Sequence, residues 1–111
     1  MKFNIPDGSS FLGNLTTTGR VSGKSRTVKL RLVFYKGKFY ASRRHKNGDW
    51  VKNALANPSV VVEANGKKVE GYAELVADDK LSRKISELKY SDERKRDNRL
   101  VVEIAPRRTH I

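Results

Sequence analysis

Basic side chains dominate one continuous part of the sequence. The stretch from Gly8 to Gly48 contains no aspartate or glutamate, so its basic residues give it a charge of +10 out of a net +12 for the chain. A concentrated positive field attracts anions and raises their local concentration. The pattern predicts an anionic ligand, with a merely solubilising face as the alternative. The basic residues are Arg20, Lys24, Arg26, Lys29, Arg31, Lys36, Lys38, Arg43, Arg44 and Lys46.

Several other chemistries find little support. The chain has no cysteine and only two histidines, His45 and His110, which are not at ligand spacing, so neither a metal site nor a serine hydrolase is expected. The segment from Gly19 to Ser25 resembles a phosphate-binding P-loop. A P-loop needs four residues between its glycines and a helix after them. Here three residues separate Gly19 from Gly23, and a strand-like pattern follows.

Nucleic acid remains open as a ligand at this point. Basic strands interleaved with aromatic residues can form a charged groove with stacking platforms. Against this interpretation, Phe34 lies on the apolar face of its predicted strand, and Lys38-Phe39-Tyr40 does not complete the RNP1 motif. The aromatic candidates are Phe34, Tyr35, Phe39, Tyr40 and Trp50.

Strand signals surround these basic residues. Apolar side chains recur at every second position from Val28 to Phe34, which is the period of a half-buried strand. Strands are also expected over 11–18, 38–42, 60–62, 69–75 and 100–104. Lys36-Gly37 and Asn65-Gly66 are typical of tight hairpin turns.

Two short helices complete the predicted order β, β, β, α, β, β, α, β. Asp49 can cap a helix over 50–56, and Asp78 or Asp79 can cap a second whose apolar stripe runs from Leu81 to Leu88. Antiparallel hairpins with two helices in 111 residues predict a mainly β (α+β) single domain over 1–111, a small closed barrel. We expect 1–10 to be an arm and 105–111 a basic tail. Without a signal sequence or an apolar run of ~20 residues, a cytoplasmic location without a membrane span is expected.

The order and spacing of several motifs resemble the deazaflavin-dependent nitroreductase family. The motifs are Leu15-Thr-Thr-Thr-Gly-Arg-Val-Ser-Gly-Lys-Ser-Arg26, Leu30, Phe39-Tyr-Ala-Ser42, Trp50, Asn53 and Ala56-Asn-Pro58 followed by valines. That family belongs to the split β-barrel flavoproteins, which include the pyridoxamine-phosphate-oxidase-like FMN proteins. The resemblance covers about residues 11–76 and the last strand, and it implies a split antiparallel β-barrel of the FMN-binding type.

The resemblance also implies a cofactor site made by matching positions. Arg26 and Lys29 would contact the phosphate or tail of the cofactor, and Tyr40, Ala41 and Ser42 would line its ring and ribityl chain. Three cations would close over the phosphate, and Trp50 would pack near the site, with a plain core role as the alternative. Two further cations would meet the poly-glutamyl tail of coenzyme F-420, which FMN lacks. The closing cations are Arg43, Arg44 and Lys46, and the tail cations are Arg20 and Lys24.

The activity that the resemblance implies is an oxidoreductase. It would move hydride between bound coenzyme F-420 or FMN and a small electrophile such as a quinone, nitro compound or enone. The family commonly has proline at the position of Ser25 and a glycine-rich loop at Arg43-Arg44-His45, so F-420 and FMN both stay open. A non-catalytic cofactor binder and a basic nucleic-acid-binding barrel are the alternatives. The resemblance also makes a homodimer plausible.

Overall fold

The computed structural model describes residues 5–43, 49–64, 66–89 and 100–107, and the elements in these ranges follow the predicted order. β1 begins two residues earlier than expected, and β6 continues two residues further. The predicted loop over 44–48 and the polar stretch 91–98 lie outside the described residues. The elements are β1 (Ser9–Thr18), β2 (Ser25–Tyr35), β3 (Lys38–Arg43), α1 (Asp49–Ala56), β4 (Ser59–Ala64), β5 (Lys67–Leu75), α2 (Asp79–Lys89) and β6 (Leu100–Pro106).

The six strands form a closed antiparallel barrel in the order β1-β2-β3-β6-β5-β4. This confirms the predicted split-barrel class. Because successive strand residues point to opposite faces, one set of side chains fills the barrel and the other lies outside. The inward set forms the main core, with its largest members being Phe39, Leu15, Leu32, Val62 and Ile104.

The two helices cover different parts of the barrel. α1 places Trp50, Val51 and Ala54 in the main core and packs against β1 and β5. α2 lies on the outer face, where its Ile85 packs with Val33, Tyr40 and Val101 in a second, smaller core. The second core explains why Val33 is apolar although it alternates with the inward residues of β2.

The turn between β2 and β3 has the backbone that its sequence predicts. Lys36 and Gly37 have φ angles of 50° and 81°, and a type I′ hairpin needs positive φ at both central residues. The Lys36 amide also donates to Asp7 Oδ1 at 2.6 Å, which ties the lead-in before β1 to this turn.

The barrel has a short seam between β2 and β3. β2 pairs with β1 over ten residue pairs, but with β3 only over three, from Val33↔Tyr40 to Tyr35↔Lys38. Beyond that point β3 pairs with β6 alone. The Ser25–Leu32 part of β2 therefore has a strand neighbour on one side only among the described residues, and the barrel is split there.

We expect Gly71→Ala to lower the free energy of unfolding by about 1–3 kcal/mol, as overpacking commonly does. A Cβ at Gly71 would lie 2.8 Å from the Ala105 carbonyl oxygen and 2.8 Å from Ile104 Cγ2, so β5 and β6 would have to separate. Urea unfolding measures the change. The exposed Glu74→Ala on the same strand is the control and should change stability by less than about 0.5 kcal/mol. Equal stability of the two variants would contradict the close approach.

Candidate functional site

The split exposes a cationic strand next to the end of β3. Lys29 and Arg31 share the outer face of β2 with Val33, and both are exposed. Arg31 Nη1 donates to Ser10 Oγ at 3.3 Å, which holds the guanidinium along the sheet. Arg26 has the opposite parity and lies on the face that continues into the barrel. The structure therefore places Arg26 and Lys29, the two predicted phosphate contacts of β2, on opposite faces.

Ser42 lies on β3 just past the last residue that pairs with β2. The residue is 8% exposed, and its side chain shares the outer face with Tyr40. Lys89, the last residue of α2, donates through Nζ to Ser42 Oγ at 3.0 Å and to the Ser42 carbonyl oxygen at 3.3 Å. A buried serine hydroxyl and a lysine ammonium thus meet beside the split.

Tyr40 belongs to a polar group beneath α2. Its hydroxyl donates to Glu103 Oε2 at 3.0 Å, and Lys38 Nζ lies 3.1 Å from Glu103 Oε1. Burial raises the pKa of Tyr40, and the Glu103 carboxylate that accepts its hydrogen bond raises this pKa further. The phenol is therefore neutral over the physiological range and joins β3 to β6.

The turn between β1 and β2 is fastened to α1. Asn53 Oδ1 accepts from the Arg20 backbone amide at 3.1 Å and from Arg20 Nη1 at 2.8 Å, and Asn53 is 3% exposed. Within the turn, the Gly19 amide donates to the Lys24 carbonyl oxygen at 2.8 Å. Gly23 has a φ of 72°, which favours glycine there. Lys24 is exposed on this fastened turn.

The remaining predicted residues divide between the core and the chain outside the description. Ala41 and Trp50 are buried in the main core, as the core interpretation of Trp50 allowed. Arg43 ends β3, where its backbone pairs with Leu100. Arg44 and Lys46 lie outside the described residues, so their predicted closure over the phosphate stays a prediction.

The sequence did not indicate a functional role for three residues of this region. Asn53 appeared only as part of a motif, and nothing local indicated that it accepts from Arg20. Glu103 and Lys89 meet β3 through contacts that span 63 and 47 residues. The one usable signal was position: Lys89 follows the apolar stripe of α2 by one residue, which brings it near the strands that this stripe covers.

A family model matches nearly the whole chain. The model is described as F420H(2)-dependent quinone reductase, and it matches residues 3–103. The chain belongs to this family. Membership supports a deazaflavin-dependent oxidoreductase, in agreement with the resemblance seen in the motifs. The comparison with curated proteins found no match.

Solved structures share the fold of this family member at low sequence identity. A Listeria innocua protein described as a candidate pyridoxamine 5'-phosphate oxidase is 18% identical, with a TM-score of 0.67 over 87% of this chain and 84% of its own. An F420-H2 dependent reductase is 21% identical, with a TM-score of 0.61 over 93% and 99%. A domain-swapped dimer is 23% identical, with a TM-score of 0.68 over 92% and 84%. These likenesses establish the fold.

Two features are absent from the described ranges, a membrane-spanning helix and a cluster of metal-binding side chains. No helix there is long and apolar enough to cross a membrane. No group of three or more histidine, cysteine, aspartate or glutamate side chains is arranged there to hold a metal ion.

We expect Asn53→Ala to loosen the turn over 19–24. The substitution removes the acceptor of two hydrogen bonds from Arg20, one of them to a charged donor, and should lower the free energy of unfolding by about 1–3 kcal/mol. Hydrogen exchange at the Arg20 amide should become faster while exchange in β5 does not. Lys52→Ala, an exposed neighbour on α1, is the control. Unchanged exchange at Arg20 would refute the fastening.

We expect the stability difference between the wild type and Tyr40→Phe to depend on pH. The folded state raises the pKa of Tyr40, so the hydroxyl contributes fully below the unfolded pKa of about 10 and loses its contribution as the pH rises above it. Tyr40→Phe should be less stable by about 1–3 kcal/mol at pH 8, with a smaller difference at pH 11. Urea midpoints of both proteins test this, and a difference that stays constant with pH would contradict it.

Proposed function

We propose that this protein binds coenzyme F-420 and moves hydride between it and a small electrophile of the quinone class. The observation that carries the proposal is the family match over residues 3–103. Nitro compounds and enones accept hydride by similar chemistry and belong to the same proposed substrate class. FMN is the alternative cofactor, supported by the flavoprotein type of the fold.

The donor groups at the split fit a phosphorylated cofactor. Phosphate oxygens favour cationic and hydroxyl donors, and hydrogen bonds from charged donors are the stronger ones. Ser42 is 8% exposed, and its hydroxyl donates to no acceptor in the described part of the chain. Lys29 and Arg31 bring positive charge to the same outer face, and Arg26 lies near the start of β2.

The chain's own residues supply binding and orientation in this proposal. When bound, the deazaflavin ring supplies the hydride chemistry itself. The resemblance gave Ser42 to the ring and ribityl chain, whereas here Ser42 and the cations of β2 hold the anionic part of the cofactor. The rigid barrel fixes where that part lies. Tyr40 keeps its proton, donates a hydrogen bond to Glu103 and acts by holding β3 against β6. Trp50 and Ala41 are buried in the main core and contribute to the packing of the barrel.

The fastened turn is the part that we propose distinguishes F-420 from FMN. Arg20 and Lys24 lie on a turn that α1 holds through Asn53, so the backbone from which both cations extend is held in place. A poly-glutamyl tail carries carboxylates that match such charges, and FMN has no such tail. Lys24, which is exposed, is the proposed tail contact, and Arg20 combines tail attraction with its bond to Asn53.

A homodimer also belongs to the proposal. The Ser25–Leu32 edge of β2 has a strand neighbour on one side among the described residues, and a second copy packed beside it would place the cofactor near the interface between the two chains. Exposed strand edges are commonly covered or charged in native proteins. Lys29 and Arg31 supply the charge when the edge is free.

Titration of the apo protein with F-420 and separately with FMN tests the function. We expect one F-420 per chain, tighter binding than FMN, and hydride transfer to a simple quinone. Arg26→Ala combined with Ser42→Ala should weaken F-420 binding at least about tenfold, since each removes a donor to an anion. Lys67→Ala, an exposed lysine at the turn between β4 and β5, is the charge-matched control.

Three results would contradict parts of this proposal. Unchanged affinity in the double variant would refute the site. Cofactor binding without turnover would favour a non-catalytic binder. Binding of neither cofactor, with tight oligonucleotide binding at physiological salt, would favour the nucleic-acid alternative, whose affinity should fall steeply as salt increases.

A further inference from the structure

The contact between Lys89 and Ser42 joins two elements that are far apart in sequence. Lys89 ends α2, and Ser42 is the next-to-last residue of β3. The ammonium lies 3.0 Å from the Ser42 hydroxyl oxygen and 3.3 Å from the Ser42 carbonyl oxygen. Two acceptors on one residue fix the position of the lysine head more tightly than a single bond would.

The chemistry of the two groups fixes the direction of the side-chain bond. A lysine ammonium has three N–H donors and no acceptor, whereas a serine hydroxyl both donates and accepts. The Ser42 oxygen is therefore the acceptor, and its own proton must point to another atom. In the described residues no hydrogen bond donated by this hydroxyl is found, although Ser42 is only 8% exposed.

A buried donor without an acceptor lowers stability unless a ligand or solvent accepts from it. The nearest carboxylate on this face of β6, Glu103, already accepts from Tyr40 and Lys38. An anionic group placed beside Ser42 would accept a hydrogen bond from the hydroxyl and lie close to the ammonium of Lys89. The pair is therefore arranged as a donor and a charge for one anion.

We infer that Lys89 is a positioning residue for the cofactor: it forces Ser42 to act as a hydrogen-bond donor and adds positive charge beside the bound phosphate. This inference rests on the proposed function. It adds α2 to a site otherwise made from the strands and from the turn between β1 and β2. The competing role is structural, in which Lys89 only fastens the end of α2 to β3.

The two roles predict different results for cofactor binding. Lys89→Met keeps the length of the side chain but removes its donor and its charge, whereas Lys89→Arg keeps the donor and the charge. The other variants are Ser42→Ala and the double variant Lys89→Met with Ser42→Ala. Lys84→Met, an exposed lysine of the same helix, is the matched control. Each protein is titrated with F-420 by fluorescence, and its thermal unfolding midpoint is recorded.

If Lys89 positions Ser42, Lys89→Met weakens F-420 binding about tenfold or more, as loss of one charged hydrogen bond commonly does. Ser42→Ala has a similar effect. The affinity of the double variant for F-420 is within about twofold of that of the weaker-binding single variant, because both substitutions remove the same interaction. Lys89→Arg restores most of the affinity, and Lys84→Met changes it by less than about twofold. A purely structural contact would move the unfolding midpoint alone.

The inference is overturned if Lys89→Met binds F-420 as the wild type does, or if the effects of the two single variants multiply in the double variant. If Lys89→Met lowers the midpoint so far that binding cannot be compared, Lys89→Gln replaces it. Because glutamine keeps a donor and loses only the charge, a smaller weakening than for loss of both is expected, and binding equal to that of the wild type would overturn the inference. Failure of the wild type itself to bind F-420 or FMN would refute the proposed function. Unimpaired binding by the lysine variants alone would refute only the role of Lys89.

Discussion

The three residue pairs between β2 and β3 are the constraint on which the rest of the site depends. A barrel closes only if each strand pairs on both sides, and here the closing seam ends at Val33↔Tyr40. Longer pairing would cover the Ser25–Leu32 edge and leave no place for a ligand between the strands. A shorter seam would leave β3 held by β6 alone. Three pairs, covered by α2, keep the barrel closed while the Ser25–Leu32 edge of β2 stays accessible to a ligand.

Strand alternation then separates the tasks of neighbouring residues. Ala41 points into the core, while Tyr40 and Ser42 lie outside and meet α2 or its last residue. Two of these three consecutive positions fill the barrel and join β3 to β6, and the third, Ser42, is the one that we propose donates to an anion. This arrangement follows from the two-residue period of a strand. It also explains why Arg26 and Lys29 lie on different faces although both are basic residues of β2.

The features that the sequence predicts well are those that depend on near neighbours. The alternation from Val28 to Phe34 and the turn at Lys36-Gly37 follow from local periodicity and φ preference, and both are confirmed. The site depends on contacts that no local pattern records. Asn53 accepts from Arg20 across 33 residues, and Lys89 reaches Ser42 across 47. Only the closed barrel brings these partners together. The basic residues therefore predicted an anionic ligand, but not which side chains would meet at the site.

The position of α2 connects the stability of the barrel with the chemistry of the split. Its apolar stripe covers Val33, Tyr40 and Val101, the outward residues of the three strands that meet at the seam. The same helix ends at Lys89, whose ammonium lies on Ser42. An anion bound there would add contacts between α2 and β3 that the unfolded chain lacks, and a ligand that binds only the folded state stabilises it in proportion to its concentration. Ligand occupancy and closure of the seam are therefore expected to support each other through this one helix.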